Sequence, residues 1–241
     1  MSLTGRGVVV TRPRELAQGL AALIERAGGR PFLFPAIEIE DLPIPEPLRR
    51  AQAFDLAIFI SPTAALRATR HAASWPRVAA VGPGTKRELE RLGISPVIAS
   101  QSAADSEALL ALPQLERMEG KRVLIVRGEG GRALLGDTLR QRGAHVEYAE
   151  CYRRARPQAD PLPLLASWAQ VHAVTVPSEE GLRNLFAMLG AQGEPLLRST
   201  PLFVSHERVA AQATRLGVRE AIVAGPGDGE MFERLVAYFA Q

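Results

Sequence analysis

The sequence predicts an α/β protein of two flavodoxin-like, doubly wound parallel-sheet domains, and three observations lead to this fold class. Short apolar runs alternate with amphipathic stretches along almost the whole chain. The opening stretch has a similar copy about 115 residues later. Two proline-rich segments, at 36–48 and 151–165, interrupt the alternation at equivalent places in the two copies. These interruptions predict two crossings of the chain between two similar domains.

The internal repeat aligns two pairs of glycines and one pair of arginines. Gly5 lies over Gly120, Arg12 lies over Arg127 and Gly28 lies over Gly143. The aligned segments read GRGVVVTRPRELAQGLAALIERAGGRPFLFP and GKRVLIVRGEGGRALLGDTLRQRGAHVEYAE. A repeat of this length indicates two whole domains and not a solenoid of short units.

Ten runs rich in valine, isoleucine and leucine predict the strands. They lie near 7–11, 31–35, 55–60, 77–81, 96–99, 121–126, 145–149, 171–176, 201–204 and 220–223. Most are separated by stretches with helical periodicity, several of which end in glycine as helices commonly do. Near-continuous apolar strands between helices are typical of parallel sheets that are covered on both faces.

The two proline-rich segments set the expected domain boundaries. Domain one comprises 1–38 plus 158–241 and is discontinuous, whereas domain two comprises 39–157 and includes the connecting strands. A simple split near residue 118 is the alternative. Its weakness is that the stretch there, QLERMEGK, is short and contains no proline linker.

Composition and cysteine content indicate a soluble cytoplasmic protein. Apolar residues make up 46% and charged residues 23% of the chain, which is ordinary for a globular protein. No apolar run approaches the roughly 20 residues that would span a bilayer. The N-terminal sequence lacks the pattern of a signal peptide. Cys151 is the only cysteine, so the chain can form no internal disulfide and no cysteine cluster for zinc.

Charge and motifs argue against nucleic acid and nucleotide partners. The formal net charge is only +3, aromatic residues make up 5%, and no basic arm or zinc-finger spacing is present. Neither G-x-G-x-x-G nor a P-loop occurs, and GEGGR after the run at 121–126 lacks both spacings. Arginine far outnumbers lysine, which suits carboxylate recognition, although a GC-rich genome gives the same bias.

An ordered set of motifs resembles the bacterial uroporphyrinogen-III synthase family over nearly the whole length. The motifs are VVVTRP at the start, IFISPTAA at 58–65, AVGPGTKRELERLG at 80–93, VLIVRGEGGRALLGDTLRQRGAHVEYAECYRR at 123–154 and FVSHERVAAQATRLG at 203–217. The resemblance implies two flavodoxin-like domains joined by a two-stranded connector. The chain departs from the family's usual hydroxyl-rich loops at 61–63 and 176–178, where it has Ser-Pro-Thr and Val-Pro-Ser.

The resemblance implies an enzyme that cyclises hydroxymethylbilane, a linear tetrapyrrole with eight carboxylates. In that reaction the terminal hydroxyl leaves as water, ring D inverts and the macrocycle closes as uroporphyrinogen III. The family uses no metal and no organic cofactor, and the residues agree, since no acid–base triad or metal-ligand spacing is evident. A monomer in transient contact with hydroxymethylbilane synthase, without membrane or nucleic-acid partners, is the expected state.

Arginines at the ends of strands are candidates for binding substrate carboxylates. Arg12 and Arg127 follow equivalent strands, at the carboxyl ends where open α/β sheets bind ligands. Arg132 follows a glycine-rich turn in which Gly128 and Gly131 would let the backbone approach an anion. The alternatives are arginines that cap a sheet edge in solvent and an ordinary flexible turn.

Hydroxyl side chains at the starts of helices are the second group of candidates for substrate contact. N-capping alone explains serine and threonine at such positions. These candidates are Ser61, Thr63, Thr85, Ser178 and Ser205.

Tyr152 matches the tyrosine that the family offers as general acid for departure of the hydroxyl. The alternative is a partly buried tyrosine packed against the connector. The neighbouring Cys151 is expected to be inert, and His206 is interpreted as a surface or cap-region histidine.

Two rival functions come from other classes of protein. A two-domain sensor of anionic ligands, similar in shape to periplasmic binding proteins, would close on its ligand without chemistry. Against this function, the sequence shows no secretion signal and no attached output domain. The second rival is a nucleotide-dependent oxidoreductase, and the sequence argues against it because the phosphate-binding fingerprint is missing.

Overall fold

The computed structural model describes residues 2–72, 74–100, 105–131 and 133–240. The chain divides into two units: unit 1 comprises Met1–Glu38 and Ala155–Gln241, and unit 2 comprises Ile39–Arg154. The chain therefore leaves unit 1 once and returns to it once. The return lies at residue 155, whereas the sequence-based boundary lies at 158. That each unit is an independently folding domain stays a prediction.

The described residues contain eleven strands and ten α-helices, numbered in chain order. The strands are β1 (Gly7–Val10), β2 (Arg30–Leu33), β3 (Glu38–Asp41), β4 (Leu56–Phe59), β5 (Arg77–Ala80), β6 (Val97–Ala99), β7 (Arg122–Gly128), β8 (His145–Ala155), β9 (Val171–Val176), β10 (Leu202–Val204) and β11 (Ala221–Val223). The helices are α1 (Arg14–Arg26), α2 (Glu46–Arg49), α3 (Pro62–Ala68), α4 (Pro83–Arg91), α5 (Ser106–Leu110), α6 (Leu134–Gln141), α7 (Leu162–Ala166), α8 (Glu179–Ser199), α9 (Glu207–Arg215) and α10 (Asp228–Phe239). Helix α8 is interrupted at Gly190, which has φ 59° and ψ −168°.

Unit 1 is built on a parallel sheet with the strand order β11-β10-β9-β1-β2. Helices cover both faces, and β1 shows why its sequence is continuously apolar. Val8 and Val10 pack with Leu20 of α1 and with α10, whereas Val9 packs with Leu185 of α8 and with α9. Because both faces are buried, each residue of the strand must be apolar.

Unit 2 has a six-stranded sheet in the order β3-β8-β7-β4-β5-β6, in which the pairs from β8 to β6 are parallel. Alternate residues of β7 again face opposite layers. Leu124 packs with Leu89 of α4 and with α3, whereas Ile125 packs with Leu139 of α6 and with α5. The predicted α/β class with parallel sheets is therefore confirmed, and every predicted strand run overlaps a strand.

The two proline-rich interruptions contain regular structure that the apolar pattern missed. Strand β3 lies in the first, and β8 continues to Ala155, six residues beyond the predicted end of its run at 149. The Leu42 amide donates to the Cys151 carbonyl at 3.1 Å. Arg153 Nε lies 2.6 Å from Glu40 Oε2. The residue numbers run in opposite directions, so β3 and the end of β8 are antiparallel. The boundaries between the units fall in these two strands.

No helix in the described part of the chain is both long enough and apolar enough to span a membrane.

Candidate functional site

The predicted site residues lie at the carboxyl ends of parallel strands, within each unit taken by itself. In such sheets these ends share one edge, where strand-to-helix loops bind ligands. In unit 1 the residues are Arg12, Ser178 and Ser205, which follow β1, β9 and β10. In unit 2, Ser61 and Thr63 follow β4 and Thr85 follows β5. The other candidates of unit 2 are Arg127, Gly128 and Gly131 at β7 and Tyr152 in β8. Arg132 lies outside the described residues.

Tyr152 and Ser61 form a hydrogen-bonded pair in unit 2. The Tyr152 hydroxyl lies 2.9 Å from Ser61 Oγ. Ser61 is the N-cap of α3, where its Oγ also accepts the Ala64 amide at 3.0 Å. Tyr152 is only 2% exposed and packs with the core on the α3 side of the sheet. The phenol is therefore held by packing on its ring and by one hydroxyl at its tip.

Gly128 makes room for the Tyr152 ring. The two residues are partners across β7 and β8, next to an irregularity in the register. A Cβ atom at Gly128 would lie 2.7 Å from Cε2 and Cζ of that ring. The Tyr152 carbonyl also accepts the Glu129 amide at 2.7 Å. The structure thus gives Gly128 a packing reason to be glycine, where the sequence suggested close approach to an anion.

Arg127 is held by groups of its own unit. Its Nη2 and Nε donate to Glu150 Oε1 at 2.8 and 3.1 Å. Its guanidinium carbon lies 4.1 Å from the centre of the Tyr148 ring, which adds a cation–π contact. The side chain is 14% exposed, so the ion pair is more shielded than a typical surface pair. A ligand carboxylate would have to share or displace Glu150.

Arg12 is held in the same manner in unit 1. Its Nη1 lies 3.2 Å from Asp228 Oδ1 at the start of α10, and its Nη2 donates to the Pro226 carbonyl at 2.6 Å. On α1, Gly19 faces the Asp228 carboxylate, and a Cβ at that glycine would clash with the carboxylate. The two arginines that the repeat aligns therefore each have a carboxylate partner within their own unit.

Two hydroxyl candidates are buried and bonded to nearby carbonyls. Thr85 is 2% exposed and donates to the Val81 carbonyl at 2.9 Å. It is the third residue of α4, whose N-cap is Gly82, so its reading as a capping residue is wrong. Ser205 is 3% exposed and donates to the Pro177 carbonyl at 2.7 Å, which ties two neighbouring loops together.

The other two hydroxyl candidates lie at helix starts. Ser178 is the N-cap of α8 and accepts the Gly181 amide at 3.0 Å, so the capping interpretation is correct here as at Ser61. Thr63 is half-buried in the first turn of α3.

The turn after β7 has the backbone that its glycines suggest. Gly130 and Gly131 have φ values of 71° and 97°, which favour glycine, and a Cβ atom on either would meet open space. Both residues are exposed.

Cys151 is 5% exposed, and its Sγ lies 3.4 Å from the Ala149 carbonyl. Burial raises the pKa of this thiol to about 12. The thiol therefore stays protonated and unreactive at neutral pH, in agreement with its expected inertness. The described residues contain no group of three or more His, Cys, Asp or Glu side chains that could hold a metal ion.

Sequence reasoning missed the acidic partners of the two arginines. Glu150 pairs with Arg127 across adjacent strands, a contact that needs the register of β7 and β8. Asp228 follows Arg12 by more than two hundred residues and is brought back by the placement of α10. The repeat also aligned β2 with β8, but it placed Pro35 opposite Glu150 and so gave no signal for this ion pair.

Parallel sheets covered on both faces define an α/β protein, and the arginine and hydroxyl side chains after its strands make the strand-end loops the candidate ligand site. A family model described as uroporphyrinogen-III synthase HemD matches residues 18–233. The chain is 33% identical over 241 residues to the uroporphyrinogen-III synthase of Escherichia coli, with 94% of this chain and 98% of that protein covered. It is likewise 33% identical over 242 residues to that of Salmonella typhimurium, with the same coverage.

Solved structures show the same fold. A mutant uroporphyrinogen III synthase from Thermus thermophilus has a TM-score of 0.63 at 21% identity, with 98% of this chain and 99% of that chain covered. The uroporphyrinogen-III synthetase of Helicobacter pylori has a TM-score of 0.63 at 14% identity, with 97% of this chain and 99% of that chain covered. The chain belongs to the uroporphyrinogen-III synthase family, as the motif set predicted.

Proposed function

We propose that this protein is a cyclising lyase of tetrapyrrole synthesis that converts hydroxymethylbilane to uroporphyrinogen III with release of water. The observation that carries the proposal is the family match over residues 18–233, together with 33% identity to the Escherichia coli relative over 94% of the chain. The rival reading, an anion sensor without catalysis, is not favoured by that match.

The reaction needs positioning more than strong catalytic groups. The bilane also closes unaided to the type I isomer, so the enzyme must favour one of two closures. A hundredfold preference corresponds to about 3 kcal/mol of differential barrier. Holding a flexible polyanion in one conformation can supply this amount. Arginines and loop amides at strand ends suit that task.

Tyr152 is the proposed general acid. Its phenol would donate a proton to the departing terminal hydroxyl, which then leaves as water. Ser61 supports this role, because its hydroxyl lies 2.9 Å from the phenol oxygen and is itself fixed by the start of α3. Tyr152 is only 2% exposed, and we propose that the substrate reaches its phenol at the strand ends, beside the loops after β4 and β7.

The carboxylate-binding residues are proposed to act by exchange of partners. Arg12 and Arg127 start from ion pairs with Asp228 and Glu150. Each guanidinium would then be shared between its acidic partner and a substrate carboxylate. We further propose contacts from the remaining candidates of the strand-end loops. These are Ser61, Thr63, Ser178, Gly128, Gly131 and Arg132, with Thr85 and Ser205 acting mainly by fixing their loops.

The domain organisation is proposed on the strand orders. The order in unit 1 is the flavodoxin-like 2-1-3-4-5 when its strands are counted along the chain. Unit 2 gives the same order when counting starts at β7, continues through β8 and returns to β4, with β3 added at the edge. Two flavodoxin-like domains, 1–38 plus 158–241 and 39–157, joined by a two-stranded connector, fit these orders. Action without metal or organic cofactor, a monomeric state, transient contact with hydroxymethylbilane synthase and a cytoplasmic location also stay predictions.

A coupled assay with hydroxymethylbilane synthase tests the function. The protein should convert the bilane to the type III isomer without added metal or nucleotide, and a chelator should have no effect. Tyr152→Phe should slow turnover by about a hundredfold while keeping the type III preference, since positioning survives. A reaction without the protein gives the spontaneous type I rate. Type I product alone, formed at that rate with the protein present, would contradict the proposal.

A further inference from the structure

A cavity of about 750 Å³ opens in unit 2 at the edge of the sheet opposite the candidate site. Its walls include Arg77 and Val78 at the start of β5, Pro96 just before β6, and Leu92 and Ile94 just after α4. All of these are at the amino ends of parallel strands, whereas Tyr152 and Ser61 lie at the carboxyl ends. The volume is within the range of small-molecule sites, roughly 300–1,000 Å³.

The apolar wall of this cavity is anchored in the core. Trp75, Leu92 and Ile94 line it and pack against the buried cluster on that side of the sheet. Trp75 also meets the fully buried Phe59 edge to face, with ring centroids 4.9 Å apart. A half-buried indole held in this way offers a fixed aromatic surface to a ligand.

The polar side of the cavity carries uncompensated positive charge. Arg77 lines it, and among the described residues the Arg77 side chain has no ion pair or hydrogen bond. An adjoining cavity of about 100 Å³ shares Arg77 and Gln114 and adds Arg117, whose side chain is equally without a partner in the described chain. The remaining charges there, Lys121 and Asp55, pair with each other at 3.4 Å.

We propose that this cavity is a second ligand site, for an aromatic carboxylate of two or three fused rings. The rings would lie against Trp75 and the aliphatic wall, and the carboxylate would take the free guanidinium of Arg77, with Arg117 adding long-range attraction. A planar guanidinium can hold a carboxylate with two parallel hydrogen bonds. This site is separate from the proposed reaction and does not depend on it.

The test uses 8-anilinonaphthalene-1-sulfonate as a fluorescent probe whose sulfonate stands in for the carboxylate. We expect saturable binding of one probe per chain, with competition from 2-naphthoate. The neutral 2-naphthalenemethanol, which has the same rings, should need about tenfold higher concentration, because it lacks the charge-assisted contact. In Arg77→Gln, 2-naphthoate and 2-naphthalenemethanol should compete with the probe at equal concentrations.

Two control variants locate the effect. Arg87→Gln removes another exposed arginine of unit 2 that does not line the cavity, and Tyr152→Phe alters the opposite edge. Both should bind the probe as the unaltered protein does, and near-ultraviolet circular dichroism should show native packing in every variant. Probe binding that does not saturate, equal potency of the two competitors, or an equal loss in Arg77→Gln and Arg87→Gln would overturn the proposal.

Discussion

Gly128 and Tyr152 face each other across strands β7 and β8, with the tyrosine ring in the space that a side chain at 128 would need. This relationship ties a backbone position to the proposed general acid. It also makes the identity of residue 128 a test of the arrangement.

Replacing Gly128 with alanine should push the Tyr152 ring away from Ser61. The new Cβ would start 2.7 Å from two ring carbons, and relief of such overpacking costs about 1–3 kcal/mol. Urea unfolding should show this loss, and turnover should fall with it. Gly84→Ala is the matched control in unit 2, because its Cβ would find Pro62 Cγ at an ordinary 3.9 Å. An unchanged stability of Gly128→Ala would mean that the ring moves freely.

The hydrogen bond between Ser61 and Tyr152 should appear as a coupling energy. Ser61→Ala, Tyr152→Phe and the double variant, compared by urea unfolding, should give a coupling of about 0.5–1.5 kcal/mol. Ser61→Ala should be the more damaging single change, since it also removes an N-cap worth about 1 kcal/mol. Ser178→Ala removes a similar cap in unit 1, and its combination with Tyr152→Phe should be additive. If the stability losses of Ser61→Ala and Tyr152→Phe also simply added, the hydrogen bond between the two residues would be contradicted.

Neutralising the partner of Arg127 should strengthen substrate binding. Glu150→Gln keeps the shape of the side chain but removes the negative charge that holds the guanidinium at 2.8 Å. We expect a several-fold lower KM in the coupled assay, and a higher KM for Arg127→Gln. Glu40→Gln is the control, because it breaks the ion pair with Arg153 at 2.6 Å, which the mechanism does not use. A higher KM for Glu150→Gln would show that the pair acts as a unit.

The buried thiol of Cys151 should destabilise the protein in alkaline solution. Burial raises its pKa from 9.0 to about 12, so above pH 9 the unfolded chain releases a proton that the folded chain retains. The free energy of unfolding should therefore fall between pH 8 and 10 by more in the unaltered protein than in Cys151→Ala. The native thiol should resist a disulfide reagent at pH 8 and react once urea unfolds the chain. Rapid reaction in the native state would mean that the thiol is accessible.

Cutting the chain at residue 118 should separate strands that belong to the same sheet. The first half would carry β1 and β2 without β9, β10 and β11, and the other half would carry β7 and β8 without β4. Both halves should be insoluble or unfolded, whereas a fragment of residues 40–156 should fold alone, as judged by cooperative urea unfolding. Two soluble and cooperative halves would favour contiguous domains.

The sequence predicted the sheets well because buried parallel strands are continuously apolar, and β1 and β7 illustrate this pattern. It did not reveal β3, whose sequence Glu-Ile-Glu-Asp alternates too briefly and lies among prolines. The chemistry of the arginines was predicted only in part. Their positions followed from the strand ends, but Glu150 and Asp228 become partners through register and helix placement, which local patterns do not encode.

The interleaved strand order has a consequence for synthesis on the ribosome. Strand β1 needs β9 as its inner neighbour, yet β2 ends at Leu33 and β9 begins only at Val171. At about 5–20 residues per second, the nascent chain displays one bare edge of β1 for on the order of 10 s. Unit 2 can close its own sheet during that interval, so the later-starting half of the molecule is finished first. An unpaired apolar strand edge that waits this long is exposed to aggregation, which is the hazard that chaperones counter.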